Sequence, residues 1–467
     1  MSDWNESRNI TRRLVVHGEL ILASPAHFGT GERGDLTDMD LARDALSGAP
    51  LLPGSSIAGA LRAALLQRQH GYGADRAAAT AAALLFGGDK GEAEGAQSPL
   101  IIDDALASQT ASTVRDRVKI EHDTRTASDG AKFDIELIPA GTTFPLRFEL
   151  LISANHDSAV LVQALATVLT MLEQGEIRLG ARRTRGLGRC HAGTWRISEY
   201  AVGTPAGMLA WLRATDAAEL AVPPHPQIAA ALGITTLLSD QRQMVTLEVR
   251  CAVDGAMLVR APAPLRRGST PDVIQLSEGG QLVIPGSSIA GALRARAARI
   301  LSVVAPDVSL VEKIFGPAKI EDTSSSFASR LLVDDATITA ATELVQMRVS
   351  IDRFTGGSYD GALFAEQPSF GGTTTLRLIL RCDHEVDRNK ATGLLLLLLK
   401  DLWTGDLPLG GSSSIGRGRL RGLSAALTLS DGSTLTLTNA PDLGLTPEDR
   451  QRLQGFVDAL NQWEVTA

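Results

Sequence analysis

Hydrophobic and polar residues alternate over Arg13–Ala23 (RLVVHGELILA) and again over Met244–Val253 (MVTLEVRCAV), the two-residue period of a half-buried strand. After each stretch comes a polar, glycine-punctuated loop. The tetrapeptide PGSS then leads into an apolar-faced helix, IAGALRAALL in the first instance. A pair of strands is expected around a DGAxF element, Asp134–Leu137 and Phe144–Leu151 in the first half. The apolar stretches Ala159–Leu172 and Ala391–Trp403 predict long buried helices, and each is followed by a glycine-rich loop and a closing strand.

The same order appears twice because the chain repeats itself. PGSSIAGALRA at Pro53–Ala63 recurs unchanged at Pro285–Ala295, 232 residues later. LFG at 85–87 answers IFG at 314–316, and DDA at 103–105 answers DDA at 334–336. VKIEHDTRTASDGAKF from Val118 answers VSIDRFTGGSYDGALF from Val349, and GEIRLGARRTRGLGR from Gly175 answers GDLPLGGSSSIGRGR from Gly405. Landmarks in one order at nearly one offset mean a duplicated domain. The element order predicts an α+β fold, two tandem ferredoxin-like β-α-β-β-α-β domains of the kind RNA recognition domains also use. Domain 1 is expected over 1–200 and domain 2 over 243–445. Residues 201–242 are a connector with a short helix at Ala206–Ala214, and 446–467 form a terminal amphipathic helix.

Composition narrows the class. An apolar content of 44 % is enough for filled cores. Cys190, Cys251 and Cys382 have no CxxC spacing, so neither a disulfide framework nor a structural zinc site is expected, and a reducing compartment is. The polar N-terminus does not read as a signal peptide. Leu394–Leu399 is too short to span a bilayer. The expectation is a soluble, cytoplasmic protein with no membrane partner. The net charge of −8 stands against a nucleic-acid binder, which usually carries a basic surplus. Against that objection, only 7 of the 45 basic residues are Lys, and Arg binds phosphate bidentately.

Two repeated motifs offer phosphate contacts. The PGSS helix start, with Ser55 and Ser56 in one copy and Ser287 and Ser288 in the other, joins free backbone N–H groups to hydroxyls. Arg62 and Arg294 lie two turns further in. The plainer alternative is that the serines only cap the helices. The loops Gly180–Gly188 and Gly410–Gly418 put glycines where a backbone would meet a sugar-phosphate chain. The first loop adds Arg182, Arg183 and Arg185, whereas the second has Ser412–Ser414 and Arg417, so the first copy is expected to grip RNA harder.

Taken in order, and repeated in the second copy except for the SPAHFGTG stretch, a strand ending in SPAHFGTG, PGSSIAGALR, LFG, the DGAxF element and a glycine-rich loop resemble the RAMP superfamily. Within it they resemble the backbone subunits of type III CRISPR complexes, and two fused copies resemble the double subunit of some III-D systems. That resemblance implies guide RNA, target RNA and other complex subunits as partners. It also implies a thumb-like hairpin over 118–133 and 349–364 that wedges into the guide–target duplex. Its candidate residues are His122 and Arg125 in the first copy, and Arg353, Phe354 and Tyr359 in the second.

The resemblance further implies metal-dependent cleavage of target RNA, with a loop aspartate before PGSS and a divalent ion, Mg or Mn, as cofactor. Counting back from Pro53 places Asp38 there as catalytic residue and metal ligand, with Asp35, Asp40 and Asp44 nearby. His27 matches a position near the RNA. In the second copy strict counting puts Thr270 opposite Asp38, while Asp272 serves if the loop shifts. Arg266 and Arg267 replace the HxG stretch there and read as phosphate contacts. Three functions remain open on sequence alone: a slicing backbone subunit, a catalytically inert structural backbone, and a guide-RNA processing endoribonuclease.

Overall fold

Leu14, Val16, Leu20 and Leu22 line one face of strand β1 (Ile10–Leu22) and are all buried, as the alternation requires. The computed structural model describes residues 9–31, 37–73, 80–88, 97–121, 126–263, 271–304, 309–317, 327–383 and 386–461. After β1 come α1 (Gly54–His70), β2 (Leu100–Ile102), a hairpin of β3 (Thr113–Ile120) and β4 (Ala127–Leu137), β5 (Thr143–Ser153), α2 (Ser158–Glu173) and β6 (Cys190–Tyr200). Strands pair antiparallel in the order β2-β5-β1-β6. Ile57, Leu61 and Leu65 of α1 and Leu161, Leu165 and Leu169 of α2 pack on this sheet against Phe144, Phe148 and Trp195. Asp157 starts α2 by accepting the N–H groups of Ala159 and Val160.

The second copy runs β7 (Gln243–Asp254), β8 (Arg260–Pro262), β9 (Val273–Gln275), α5 (Gly286–Val304), β10 (Leu331–Val333), a hairpin of β11 (Gln346–Ile351) and β12 (Ser358–Gln367), β13 (Thr373–Cys382), α6 (Arg388–Trp403) and β14 (Arg419–Thr428). Here α3 (Pro205–Leu212) and α4 (Asp216–Leu220) have come between the copies. The central order is β10-β13-β7-β14, the same as in the first copy, with Thr434–Thr438 added beyond β14. Helix α7 (Pro447–Asn461) follows, and its Leu453 and Leu460 enter the second core.

Two compact units result. Unit 1 comprises 1–117, 133–183 and 187–242; unit 2 comprises 118–132, 184–186 and 243–467. The stretch 201–242 is thus no free connector. Ile228 lies in the first core, with Leu232, Ile234 and Leu238 packed against it. Its helices α3 and α4 cover the outer face of the first sheet. The Arg13 guanidinium lies 4.1 Å from the Trp211 ring centre. Glu219 is buried, 2.9 Å from His17 Nε2, and accepts the Tyr200 hydroxyl at 3.0 Å. In RNA recognition domains the sheet face stacks bases; in unit 1 that face is taken. Cys190, Cys251 and Cys382 are buried free thiols. Burial pushes the first two up to about 12 and the third up to about 11, out of the range of reactive thiolates.

Candidate nucleic-acid interface

The two loop aspartates occupy equivalent places. Asp38 Oδ2 accepts the N–H of Asp134 at 3.1 Å, and Asp272 Oδ2 accepts the N–H of Ala365 at 2.8 Å. Asp134 and Ala365 are the residues that follow Phe133 and Phe364 of the repeated DGAxF element. Backbone register agrees, since Met39 pairs parallel with Ile135 as Val273 pairs parallel with Glu366. The shifted alignment is therefore the right one, and Asp272 rather than Thr270 is the counterpart of Asp38. The neighbouring acids do other work: Asp40 accepts from Thr37 and Asp44 from Ser47. Asp35 lies outside the described residues, as do Thr270, Arg266 and Arg267.

Glu136 anchors the chain just beyond Asp38. It accepts the Leu41 N–H at 3.0 Å and the Ser112 hydroxyl at 2.6 Å, and it pairs with Arg43. Partial burial works against its charge, but these donors outweigh it and hold the carboxyl below its usual range.

The helix starts differ from expectation. Pro53 stands in the cap position of α1 with no side-chain acceptor to offer, and Ser55 and Ser56 are exposed. Instead Asp104 accepts the Gly54 N–H and Asp335 the Gly286 N–H, both at 2.7 Å. The second aspartate of the DDA motif is thus the cap, a role that recurrence beside each helix signals but spacing alone does not. Pro53 and Pro285 carbonyls take the N–H groups of Ser56, Ile57, Ser288 and Ile289. A phosphate cradle of free N–H groups, as read from PGSS, is corrected: a carboxylate holds that place. What remains open is a cleft lined by Gly54, Ser55, Ala58, Gly59, Arg62 and Phe86. Ser287, Ser288 and Arg294 are half-buried. Burial lowers the Arg294 pKa, against the pull of Glu312.

The glycine loops are shaped first by the protein's own backbone. Gly180 and Gly188 have φ of +84° and +74°, and a β-carbon on them would collide with the carbonyls of His27 and Leu179. Gly410 and Gly418 repeat this against Leu258 and Leu409. His27 is 2 % exposed and donates from Nδ1 to the Glu136 carbonyl at 2.8 Å, while its own carbonyl accepts from Ala181. An RNA contact through the His27 ring is corrected on that ground: the imidazole ties β4 to the loop.

The loop arginines are also engaged. Arg182 sits 4.7 Å over the Phe133 ring, and Arg183 donates to the Arg178 carbonyl at 3.4 Å. Within unit 2, Arg185 donates to the Phe315 carbonyl at 3.0 Å. Arg182 and Arg183 stay exposed at the surface. Arg417 does not: it is 3 % exposed and pairs with Glu366 at 2.9 Å, so the expected phosphate contact is corrected to a buried ion pair.

Of the hairpin tips, His122 and Arg125 lie outside the described residues. The second tip is a preformed turn. Asp352 accepts the Phe354 N–H and the Thr355 hydroxyl, and these bonds lower its pKa. Arg353 is exposed and Phe354 is 97 % exposed, with Tyr359 beside the turn. Met347, Val349, Ile351 and Leu363 continue an exposed apolar surface down the hairpin.

Among the described residues no three His, Cys, Asp or Glu side chains converge as a metal cage. One oriented carboxylate per site is a donor set that suits Mg²⁺, which keeps its waters and binds through one or two carboxylates plus substrate phosphates. The family model described as the RAMP superfamily matches residues 19–191 and 263–421, one stretch in each copy. No curated protein matches the chain.

Proposed function

The chain belongs to the RAMP superfamily, whose members serve CRISPR systems as RNA-binding subunits, and from that premise we propose that it is a double backbone subunit of a type III interference complex, one that holds guide RNA and cuts the paired target. The strand order shared by both units, β2-β5-β1-β6 and β10-β13-β7-β14, supports reading each as ferredoxin-like. The observation that carries cleavage is the matched seating of Asp38 and Asp272 on the strand that leaves each hairpin. The same observation favours two cutting sites over an inert second copy.

Each aspartate spends Oδ2 on a backbone N–H, which fixes the carboxylate plane relative to the hairpin. Mg²⁺ or Mn²⁺ held by Asp38 or Asp272 and by RNA phosphates would neutralise charge at the scissile phosphate. The carboxylate's part is to orient and to keep its charge beside the attacking 2′-hydroxyl. Phe354, exposed on a rigid turn, suits a wedge that replaces base stacking with aromatic stacking.

The test is a cleavage map of guide-paired target RNA on the assembled complex with divalent metal. Wild type is expected to give two cuts at a fixed separation, with Asp38→Ala and Asp272→Ala each removing a different one. Guide and target binding should persist in both variants. If Asp38→Ala keeps every product at the wild-type rate, the catalytic assignment is wrong.

A further inference from the structure

We propose that Arg260 and Arg348 form a phosphate-binding site peculiar to the second unit, organised by Glu366 next to Asp272, with an RNA phosphodiester as its ligand. This rests on the RNA reading above and adds to it residues that no sequence motif singles out.

Glu366 lies on β12 with its side chain only 4 % exposed, and three guanidinium groups converge on it. Arg417 Nη1 is nearest at 2.9 Å and is itself buried, while its Nη2 donates to Gln346 at 3.0 Å. That pair neutralises itself. Arg260 Nη2 and Arg348 Nε stand at 3.4 Å, at the limit of hydrogen bonding, with side chains 60 % and 33 % exposed. A single carboxylate cannot compensate all three. Glu366 is the one carboxylate that all three guanidiniums share, so positive charge is in surplus around it. Arg260 carries that surplus at the solvent edge, where its Nη2 is also 3.5 Å from Ser412 of the glycine loop.

The first unit keeps Arg117 at the Arg348 position but lacks the rest of the cluster. Gly29 pairs with Leu41 there as Arg260 pairs with Gln275, so glycine holds the Arg260 position. Ile135 and Leu187 hold the positions of Glu366 and Arg417 and touch each other in a small apolar cluster. The second copy has therefore exchanged an apolar pair for a buried ion pair and added Arg260 beside the same aspartate. An exposed fork of donors anchored from behind by a buried carboxylate is how arginine is preorganised for phosphate.

The experiment measures binding of a labelled single-stranded RNA of mixed sequence to the full chain across a salt series. Arg260→Ala should weaken binding about three- to tenfold and flatten the log–log salt slope by about one. Its unfolding midpoint should stay at the wild-type value, because the side chain is mostly exposed. Arg260→Lys should recover part of the affinity. If wild type binds RNA and Arg260→Ala matches it in affinity and slope, the inference fails while the RNA reading stands. If wild type binds no RNA, both fail. Should Arg260→Ala lower the midpoint, Arg260→Lys decides: no recovery in a stably folded Lys variant also overturns the site.

Discussion

Ile135 and Leu187 meet in the first unit where Glu366 and Arg417 meet in the second, and the exchange isolates the worth of one buried pair. A buried ion pair offsets its desolvation only while both partners stay. Glu366→Gln leaves Arg417 charged and uncompensated, and is expected to cost about 3–5 kcal/mol in chemical denaturation. The double change Glu366→Ile with Arg417→Leu restores the first unit's chemistry and should cost far less than the single variant, or even stabilise. A double variant as unstable as Glu366→Gln would mean that the surrounding arginines, not the pair, dominate. The acids around Asp38 also sort at this scale. Asp40 and Asp44 close their own turns, and of these three described acids it is Asp38 that reaches β4. Counting residues could nominate Asp38 but had no means of excluding its neighbours.

At the scale of elements, the helix starts are the instructive case. A carboxylate from outside the helix, Asp104 or Asp335, satisfies the first N–H and sits at the positive end of the helix dipole. Removing it, as Asp104→Ala or Asp335→Ala, should lower stability by about 1–2 kcal/mol, read as a shift in the denaturation midpoint. If instead RNA phosphate competes for this place, Asp104→Ala would raise RNA affinity with little loss of stability, and the capping assignment would fall. Gly54 and Gly286 belong to the same device: a β-carbon there would strike the carbonyls of Ile102 and Val333. The DDA and PGSS motifs recur together because each pair makes one joint. The hairpins differ from this, since they add surface and little core. Met347, Val349, Ile351 and Phe354 stand exposed on the second one, an arrangement that costs solubility unless something covers it.

For the whole molecule, net charge and local charge point in different directions. The chain carries −8, yet arginines gather around Glu366 and in the first glycine loop. Association with RNA should therefore depend on a few local contacts, with bulk charge opposing it at long range. We expect affinity to fall about tenfold or more between roughly 50 and 200 mM salt. Spacer sequences of equal length should bind alike in a filter assay, because backbone contacts carry no sequence information. Strong preference for one spacer would point to base readout that none of the described residues is arranged for. No described helix is long and apolar enough to cross a membrane.

The duplication, the alternation of β1 and β7 and the two long apolar helices were legible in the sequence, because local periodicity and identity between repeats depend on the chain alone. So were Asp38 as a candidate and the hairpins as a feature. The strand beside β5 was not: the pair expected at Asp134–Leu137 and Phe144–Leu151 puts only the second in the sheet, and the short Leu100–Ile102 takes the other place. Tertiary structure decided which charges are spent. Arg417 looked like Arg182 in a glycine-rich loop, but one is buried against Glu366 and the other lies exposed over Phe133. The stretch 201–242 looked like a linker because it has no repeat partner, yet it closes the first sheet through Trp211 and Glu219. Asp272 was ambiguous by two positions, and only its bond to the β12 backbone, matching that of Asp38 to β4, resolved the register. In each case the deciding partner lies tens to hundreds of residues away, and a charge or a hydrogen bond is assigned by who stands beside it in space.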